Sequence, residues 1–434
     1  LRVSRSYWRR LRRVSEVIRT VVVPSTRLTE KKLAVFKELE ELYRQVLIEL
    51  VDYGFKSNID SFTRLKRDKY RELRRKFPQL PSHYIHTACQ DASTRIKSFN
   101  KLKKKGLAKS EKPVVNRVSI WLDDHLWKRI GYTTILIHTH RGWIPIELVP
   151  HKLYWRYINS GYILRTQPKV KIDYKHKKLL VYFMFSKTIN IDEDSARHII
   201  SVDVNENNVA VKLLNKVFIL ETGIKRITIG YARYREAVQS VKGNGYAGRA
   251  THGREGKRKK DIRLKIANIV SNTAKSINAV VVLEKLPKQC PRNMIKDVKD
   301  PVLRHGIYQA GFRGMVKAIE EKCLERGVSV ARVNPRGTSS RCPFCSSKLM
   351  RGSAPRQLKC PKCKFKAGRD IIAVLNLEKK YLTLKGCVPF TPTPCDPTLE
   401  VAVLPVRGWV RRKSLDATSK HKPMRMSVQG QTAV

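Results

Sequence analysis

The sequence predicts an α+β multidomain protein, and three successive hydrophobic patterns along its 434 residues support that expectation. Apolar residues recur at helical spacing across residues 30–110. Short β-rich runs separated by turn signals fill residues 111–195. From residue 196, apolar strands alternate with amphipathic helices, the order of a layered α/β domain.

Taken in order, residues 1–29 form a basic arm that ends in a β-branched run, Val21-Val22-Val23, stopped by Pro24. Thr29 can cap the next helix, with Leu28 and Leu33 placed as a hydrophobic staple around it. Leu33, Phe36, Leu39, Tyr43, Val46, Leu47 and Leu50 then share one helical face. The helical block continues through Leu65, Leu73 and Phe77, then Ala88, Ala92, Ile96 and Phe99. In the β-rich stretch, runs such as Thr133–Ile137, Lys169–Ile172 and Leu179–Phe185 lie between turns at Arg141-Gly142 and Asn159-Ser160-Gly161. They predict a small antiparallel sheet or barrel. Residues 196–337 and 367–385 give the α/β part: a strand at 199–204 that holds Asp203, a hairpin partner at 209–220 and a Gly-rich basic loop, Gly243–Lys260. There follow a helix marked by Ile262 and Ile266, a buried strand Val280–Leu283 leading into Glu284, a helix with Met315 and Ile319, and a strand at Val328–Val333. A four-cysteine insertion spans 338–366, and residues 386–434, rich in Pro, Thr and Ser and then basic, read as a flexible tail.

Charge narrows the partners. Lys and Arg number 90 against 36 Asp and Glu, a formal charge of +54 spread along nearly the whole chain. Such a field strains a compact protein by self-repulsion unless a polyanion covers many of its faces, and long nucleic acid meets that need. Apolar residues make up 41%, enough for sizeable cores. No apolar run approaches the roughly 18–20 residues of a membrane span. With no leader-like N-terminal pattern either, the expectation is a cytoplasmic, nucleoid-associated prokaryotic protein without a membrane partner.

Two sets of residues suggest chemistry. Cys342-x2-Cys345 and Cys360-x2-Cys363 have the spacing of paired zinc knuckles, whose four thiolates fill a tetrahedron and make the ion structural. Lys348, Arg351, Arg356, Lys359, Lys362 and Lys364 flank them, as solvated loop or as a grip on nucleic acid. The second set is acidic: Asp203 and Glu284 lie at the ends of apolar strands, where a carboxylate must be paired or bind a cation. Asp370 opens a helix reading IIAVLNL. Three such carboxylates brought together would hold two magnesium ions across a scissile phosphate. His138 and His140 share one side of a strand, with packing favoured over metal binding. The basic loop Arg249–Lys260 is read as a nucleic-acid contact. Trp121, Trp127, Trp143, Tyr154, Trp155 and Tyr157 could stack on bases or serve as sheet core.

The segments SVDVNENNVAV, VVLEKLP, NPRGTSSRCPFC with CPKC, and GRDIIAVLNL occur in an order that resembles the TnpB family, RNA-guided endonucleases of insertion-sequence transposons. They are similar also to the compact type V CRISPR effectors. The resemblance runs over about residues 17–384 and is densest from 199 to 380. It implies a RuvC-like, RNase H-type nuclease domain with an inserted zinc ribbon, in which Asp203, Glu284 and Asp370 form the metal-binding catalytic triad. It implies a helical recognition lobe at 30–110 and a β-barrel wedge domain formed by 111–195 with the N-terminal strand. The partners implied are a guide RNA and a target DNA, with pairing between them reading the sequence; a monomeric ribonucleoprotein is the working expectation. Four positions depart from the family pattern: Ser201 where Gly is usual, Ser346 and Lys364 where Gly commonly follows each cysteine pair, and Gly368 in place of an Asp. The other functions weighed are a CRISPR effector, a guide-RNA-bound repressor that does not cut, and a zinc-ribbon RNA-binding protein.

Overall fold

The computed structural model describes residues 12–165, 167–192, 195–243, 251, 253–287, 290–354, 356–386 and 400–406. The chain divides into two compact units, Val14–Ile189 and the part from Asn190 onward together with the residues before Val14.

In the Val14–Ile189 unit, β1 (Arg12–Pro24) leads into α1 (Glu30–Lys56), α2 (Phe62–Lys76) and α3 (Ser82–Lys103). Thr29 caps α1 by accepting from the Lys32 amide at 3.3 Å, and both staple residues, Leu28 and Leu33, are buried. Every α1 residue of the apolar stripe from Leu33 to Leu50 is buried. Two sheets follow. One has the order β1-β8-β7-β2, built from β2 (Ile120–Trp121), β7 (Lys169–Asp173) and β8 (Lys178–Asp192), with β6 (Ile163–Leu164) also on β8. The other is β3 (Trp127–Ile130), β4 (Thr134–Thr139) and β5 (Gly142–Glu147) in sequence order. A bridge between Ser25 and Leu148 joins the end of β1 to the end of β5. The aromatic run at 152–159 forms a helix, α4 (Lys152–Asn159), which buries Tyr154 and Tyr157. Trp127, Tyr154 and Tyr157 lie in the core, whereas Trp143 is exposed. His138 stacks on Trp143 with ring centroids 4.8 Å apart, and His140 meets Glu38 at 2.9 Å.

The second unit is a six-stranded sheet of order β13-β12-β9-β10-β11-β17. Its strands are β9 (His198–Val204), β10 (Asn208–Leu213), β11 (Lys216–Glu221), β12 (Ala279–Glu284), β13 (Val330–Val333) and β17 (Glu400–Pro405). β9 pairs antiparallel with β10 and parallel with β12. β12 (AVVVLE) is buried at every position before its last, as expected of a parallel strand covered on both faces. On one face Ile200, Val202, Val281 and Leu283 pack against α6 (Arg254–Ser276) and α9 (Phe312–Glu325). On the other, Val280 and Val282 meet Leu377 and Tyr381 of α10 (Arg369–Leu384). Among the described residues the unit also holds the helices α5 (Ile224–Lys242), α7 (Cys290–Met294) and α8 (Pro301–Ala310), and β14 (Met350–Arg351), β15 (Gln357–Lys359) and β16 (Lys366–Gly368) form the ribbon sheet.

Two expectations change here. Glu400–Pro405, inside the stretch read as a flexible tail, pairs in parallel along the whole of β11. Its EVAVLP sequence is a β-rich run of strand length, obscured by the Pro- and Thr-rich residues before it. The rest of that stretch beyond Gly386 lies outside the described residues, apart from Val406. The basic loop expected up to Lys260 gives way to helix at Arg254, because Glu255 and Lys259 pair one turn apart and bury the lysine. Residues 244–250 and 252 of that loop lie outside the described residues. Among the described residues, no helix is long and apolar enough to cross a membrane.

Candidate active site and metal centre

Strand alternation brings two of the acids to one face. Ile200 and Val202 point to the α6 and α9 side, so Ser201 and Asp203 point to the α10 side. On β12, Val280 and Val282 face α10, and Glu284 shares their parity. The parallel register sets Val202 beside Leu283, which places Asp203 next to Glu284 at the adjoining strand ends. Asp370 enters in the first turn of α10, which lies over this face. The Ser201 hydroxyl, buried on β9, donates to the Val374 carbonyl of α10 at 2.7 Å.

Asp203 is 7% exposed. Burial, then the Glu284 carboxylate, then that of Asp370 push its carboxyl up to about 7, against an Asn205 hydrogen bond and the Arg369 charge. Burial also raises Glu284, opposed by a hydrogen bond from Thr338 and by the charges of Lys380 and Arg369. The Thr338 hydroxyl donates to Glu284 Oε1 at 2.8 Å. Asn376 of α10 holds that loop by donating to the Thr338 and Arg341 carbonyls at 2.7 and 2.8 Å. Asp370 receives Arg356 on Oδ1 at 2.6 Å and Asn208 on Oδ2 at 3.1 Å. The Asn208 Oδ1 is buried and has no hydrogen-bond partner among the described residues. These donors are hard oxygens of the kind magnesium takes, with the orphan amide oxygen on the Asp370 side, but the three carboxylates are not drawn together as closely as the ribbon's cysteine sulfurs.

The four cysteine sulfurs lie within 4.8 Å of one another, the one compact group of potential metal ligands among the described residues. The Cys342–Cys363 and Cys345–Cys360 sulfur pairs are 3.4 and 3.3 Å apart, and Cys345–Cys363 is 3.8 Å. Zinc–sulfur bonds of about 2.3 Å put tetrahedral sulfurs about 3.8 Å apart, so the quartet fits structural zinc. The two knuckles repeat one geometry. Ser346 and Lys364 amides return to the Cys342 and Cys360 carbonyls at 3.0 and 3.1 Å, and Phe344 packs edge-on against Phe365. Ser346 and Lys364 have φ of 60° and 61°, the left-handed conformation in which glycine is at ease. Gly368 needs no such freedom: at φ −66° and ψ 145° it sits as the N-cap of α10 in ordinary extended backbone.

Sequence reasoning does not single out Asn205, Asn208, Thr338, Asn376 or Lys380. Thr338 stands inside the TSSRC run, and Asn205 and Asn208 inside SVDVNENNVAV, so proximity to a motif is the available signal. The sequence groups Arg356 with the ribbon's flanking charges; the structure gives it to Asp370.

Two family descriptions match parts of the chain: the uncharacterised protein MJ0013 family over residues 39–137, and the Cas12f1-like TNB domain over residues 312–377. Three proteins of Methanocaldococcus jannaschii are similar in sequence. The uncharacterised protein MJ0857 is 30% identical over 52% of this chain and 88% of its own length. The TnpB-like protein MJ0751 is 29% identical over 47% of this chain and 76% of its own. The putative transposase MJ0856.1 is 38% identical over 23% and 94% respectively. Among solved structures, the Cas12f1–sgRNA–target DNA complex determined by cryo-EM aligns with a TM-score of 0.52 at 16% identity, covering 80% of this chain and 82% of the other. That identity speaks for fold alone, and the fold is the expected one: α+β, with a RuvC-like domain and an inserted four-cysteine ribbon. With near-complete coverage of MJ0857 and MJ0856.1, a TnpB-like relative and the Cas12f1-like TNB domain, the chain belongs to the TnpB-type family.

Proposed function

We propose that this protein is an RNA-guided, magnesium-dependent DNA endonuclease of a transposon, which binds a guide RNA and hydrolyses phosphodiester bonds of the target DNA at Asp203, Glu284 and Asp370. The observation that supports it most is the setting of Asp203, buried and raised to about 7 beside the other two carboxylates. A fold gains nothing by burying like charges together unless a cation joins them. When bound, two magnesium ions would supply an activated water and charge neutralisation at the leaving oxygen. The chain's own residues then fix the ligands: Asn205 orients Asp203, Thr338 orients Glu284, and Asn208 orients Asp370. Lys380, anchored on the Asn334 carbonyl at 2.8 Å and on that of Arg336, places a positive charge within reach of Glu284. The sgRNA and target DNA bound by Cas12f1 in its complex support the nucleic-acid partners, and the +54 charge agrees.

The test is cleavage. RNA that co-purifies with the chain is sequenced and used to program it against duplex DNA carrying a library of flanking motifs, with magnesium. Cutting by the parent and none by Asp203→Ala is expected, with guide RNA still bound by both. Failure of the parent to cut any member of the library would falsify the nuclease reading, and retained RNA binding would then favour the repressor.

A further inference from the structure

The helix α5 lies on the nuclease unit with little of its surface covered. Tyr234 is 49% exposed and Val241 79%, unusual for apolar side chains on a helix with nothing to pack against. Between α5 and the start of α6 lies a cavity of about 560 Å³, lined by Arg226, Gly230, Tyr231, Tyr234, Arg254 and Arg258 together with Ile227. Among the described residues no carboxylate lines it, and none of its three guanidiniums has an ion pair. The nearest acid in sequence, Glu255, is already engaged by Arg235 and Lys259. Ile227, Gly230, Tyr231 and Tyr234 follow the i, i+3, i+4, i+7 spacing of a single helical face. A Cβ at Gly230 would meet nothing within 4 Å, so the floor between the tyrosines is open and flat. Arg254 and Arg258 stand one turn apart on α6, about 5–6 Å between their Cβ atoms.

We propose that this cleft binds a segment of single-stranded nucleic acid, with a base lying on Tyr231 and Tyr234 over Gly230 and its flanking phosphates held by Arg226, Arg254 and Arg258. A small anion would use the arginines and leave the aromatic floor idle. A duplex hides the faces of its bases, so only an unpaired strand uses both features. DNA and RNA share this chemistry, and the experiment separates them. The inference rests on the chain being a nucleic-acid binder, and does not depend on cutting.

The full-length chain is mixed with 15-nucleotide single strands, one of DNA and one of RNA, each with a central 5-iodouracil, then irradiated and mapped by mass spectrometry. Crosslinks to the peptide containing Tyr231 and Tyr234 are expected, in the arm that is the native ligand or in both. Gly230→Leu fills the floor and suits a helix better than glycine, so it should fold. It should lower that crosslink about fivefold or more. Arg254→Ala with Arg258→Ala should reduce the slope of log affinity against log salt by about 1.4 and leave the crosslinked position unchanged. Crosslinks that map elsewhere, with both variants matching the parent, overturn the cleft alone. Absence of binding to either strand and of any co-purifying RNA overturns the cleft and the nucleic-acid reading together.

Discussion

Asp203 ties stability to pH at the level of one carboxyl. Its group is raised to about 7, whereas in the unfolded chain it returns to about 3.9. Between those values the folded state binds the proton more often than the unfolded state, so its contribution to stability falls as pH rises through the window. Without divalent metal, Asp203→Asn should therefore stabilise the chain by a few kcal/mol at pH 8 and by little at pH 4. Urea titrations of parent and variant at both pH values measure the difference; equal gains at the two would show that Asp203 titrates normally. Magnesium should relieve the same repulsion in the parent and leave the variant less affected. Ser201 departs from the family's usual glycine and has a definite task. Its hydroxyl bonds the Val374 carbonyl and so pins the helix that presents Asp370. Ser201→Ala should cost about 1 kcal/mol of stability. It should also lower cleavage more than that loss explains, because the helix end is no longer tied to β9; the two are compared by denaturation and by turnover at a temperature where both proteins stay folded.

The ribbon is the element on which the third carboxylate depends. β16 ends at Gly368 and α10 begins at Arg369, so no linker separates the metal knuckle from Asp370. The Arg369 amide donates to the Arg356 carbonyl at 2.9 Å while the Arg356 side chain holds Asp370. Stripping zinc should thus reduce cleavage at least tenfold although zinc touches no substrate, and zinc without magnesium should restore none of it. Single-turnover assays after chelation and separate add-back of each ion decide this. Within the ribbon, Ser346 and Lys364 accept a left-handed backbone that costs roughly 1–2 kcal/mol for a residue with a Cβ. Glycine would remove that strain and lose about half of it to added freedom in the unfolded chain. Lys364→Gly is therefore expected to slow zinc loss to a chelator, and faster loss would count against the strain. This element also marks what the sequence could reveal. Four cysteines and three strand- or helix-end acids are legible because each violates a local rule: thiols in pairs, or charge beside an apolar run. The supports are not. Asn376 reaches the Thr338 carbonyl across 38 positions, and an asparagine in an apolar helix carries no local sign of its partner. The helix α5 escapes sequence reading for another reason: its tyrosines, arginines and Gly230 interrupt the apolar period, as a face turned to solvent does.

At the scale of the molecule, the first unit holds together across a boundary that the sequence period suggests. The helical stretch and the β-rich stretch read as separate lobes, yet one continuous core runs from Val21 and Phe36 through Tyr84 to Phe183 and Phe185. Polar ties cross the same line: the Tyr84 hydroxyl donates to the His138 carbonyl at 2.6 Å, Arg95 to that of Arg117 at 3.1 Å, and His83 meets the buried Asp123 at 2.6 Å. Hydrophobic period reports the type of each element but not which elements share a core, because burial between blocks looks the same in sequence as burial within one. The unit is also closed by its own ends, since β1 and β8 are neighbours in one sheet although they open and close the segment. A fragment of residues 12–192 should therefore fold alone and unfold in a single cooperative urea transition. A fragment of residues 30–110 should not, because Tyr84, Ile85 and Ala88, each fully buried, lose the strands that share their core. Circular dichroism with denaturant titration of both fragments tests this. A cooperative transition in the shorter fragment, or its absence in the longer, would show that the helical block owns its core and that the boundary near residue 110 is a true domain border.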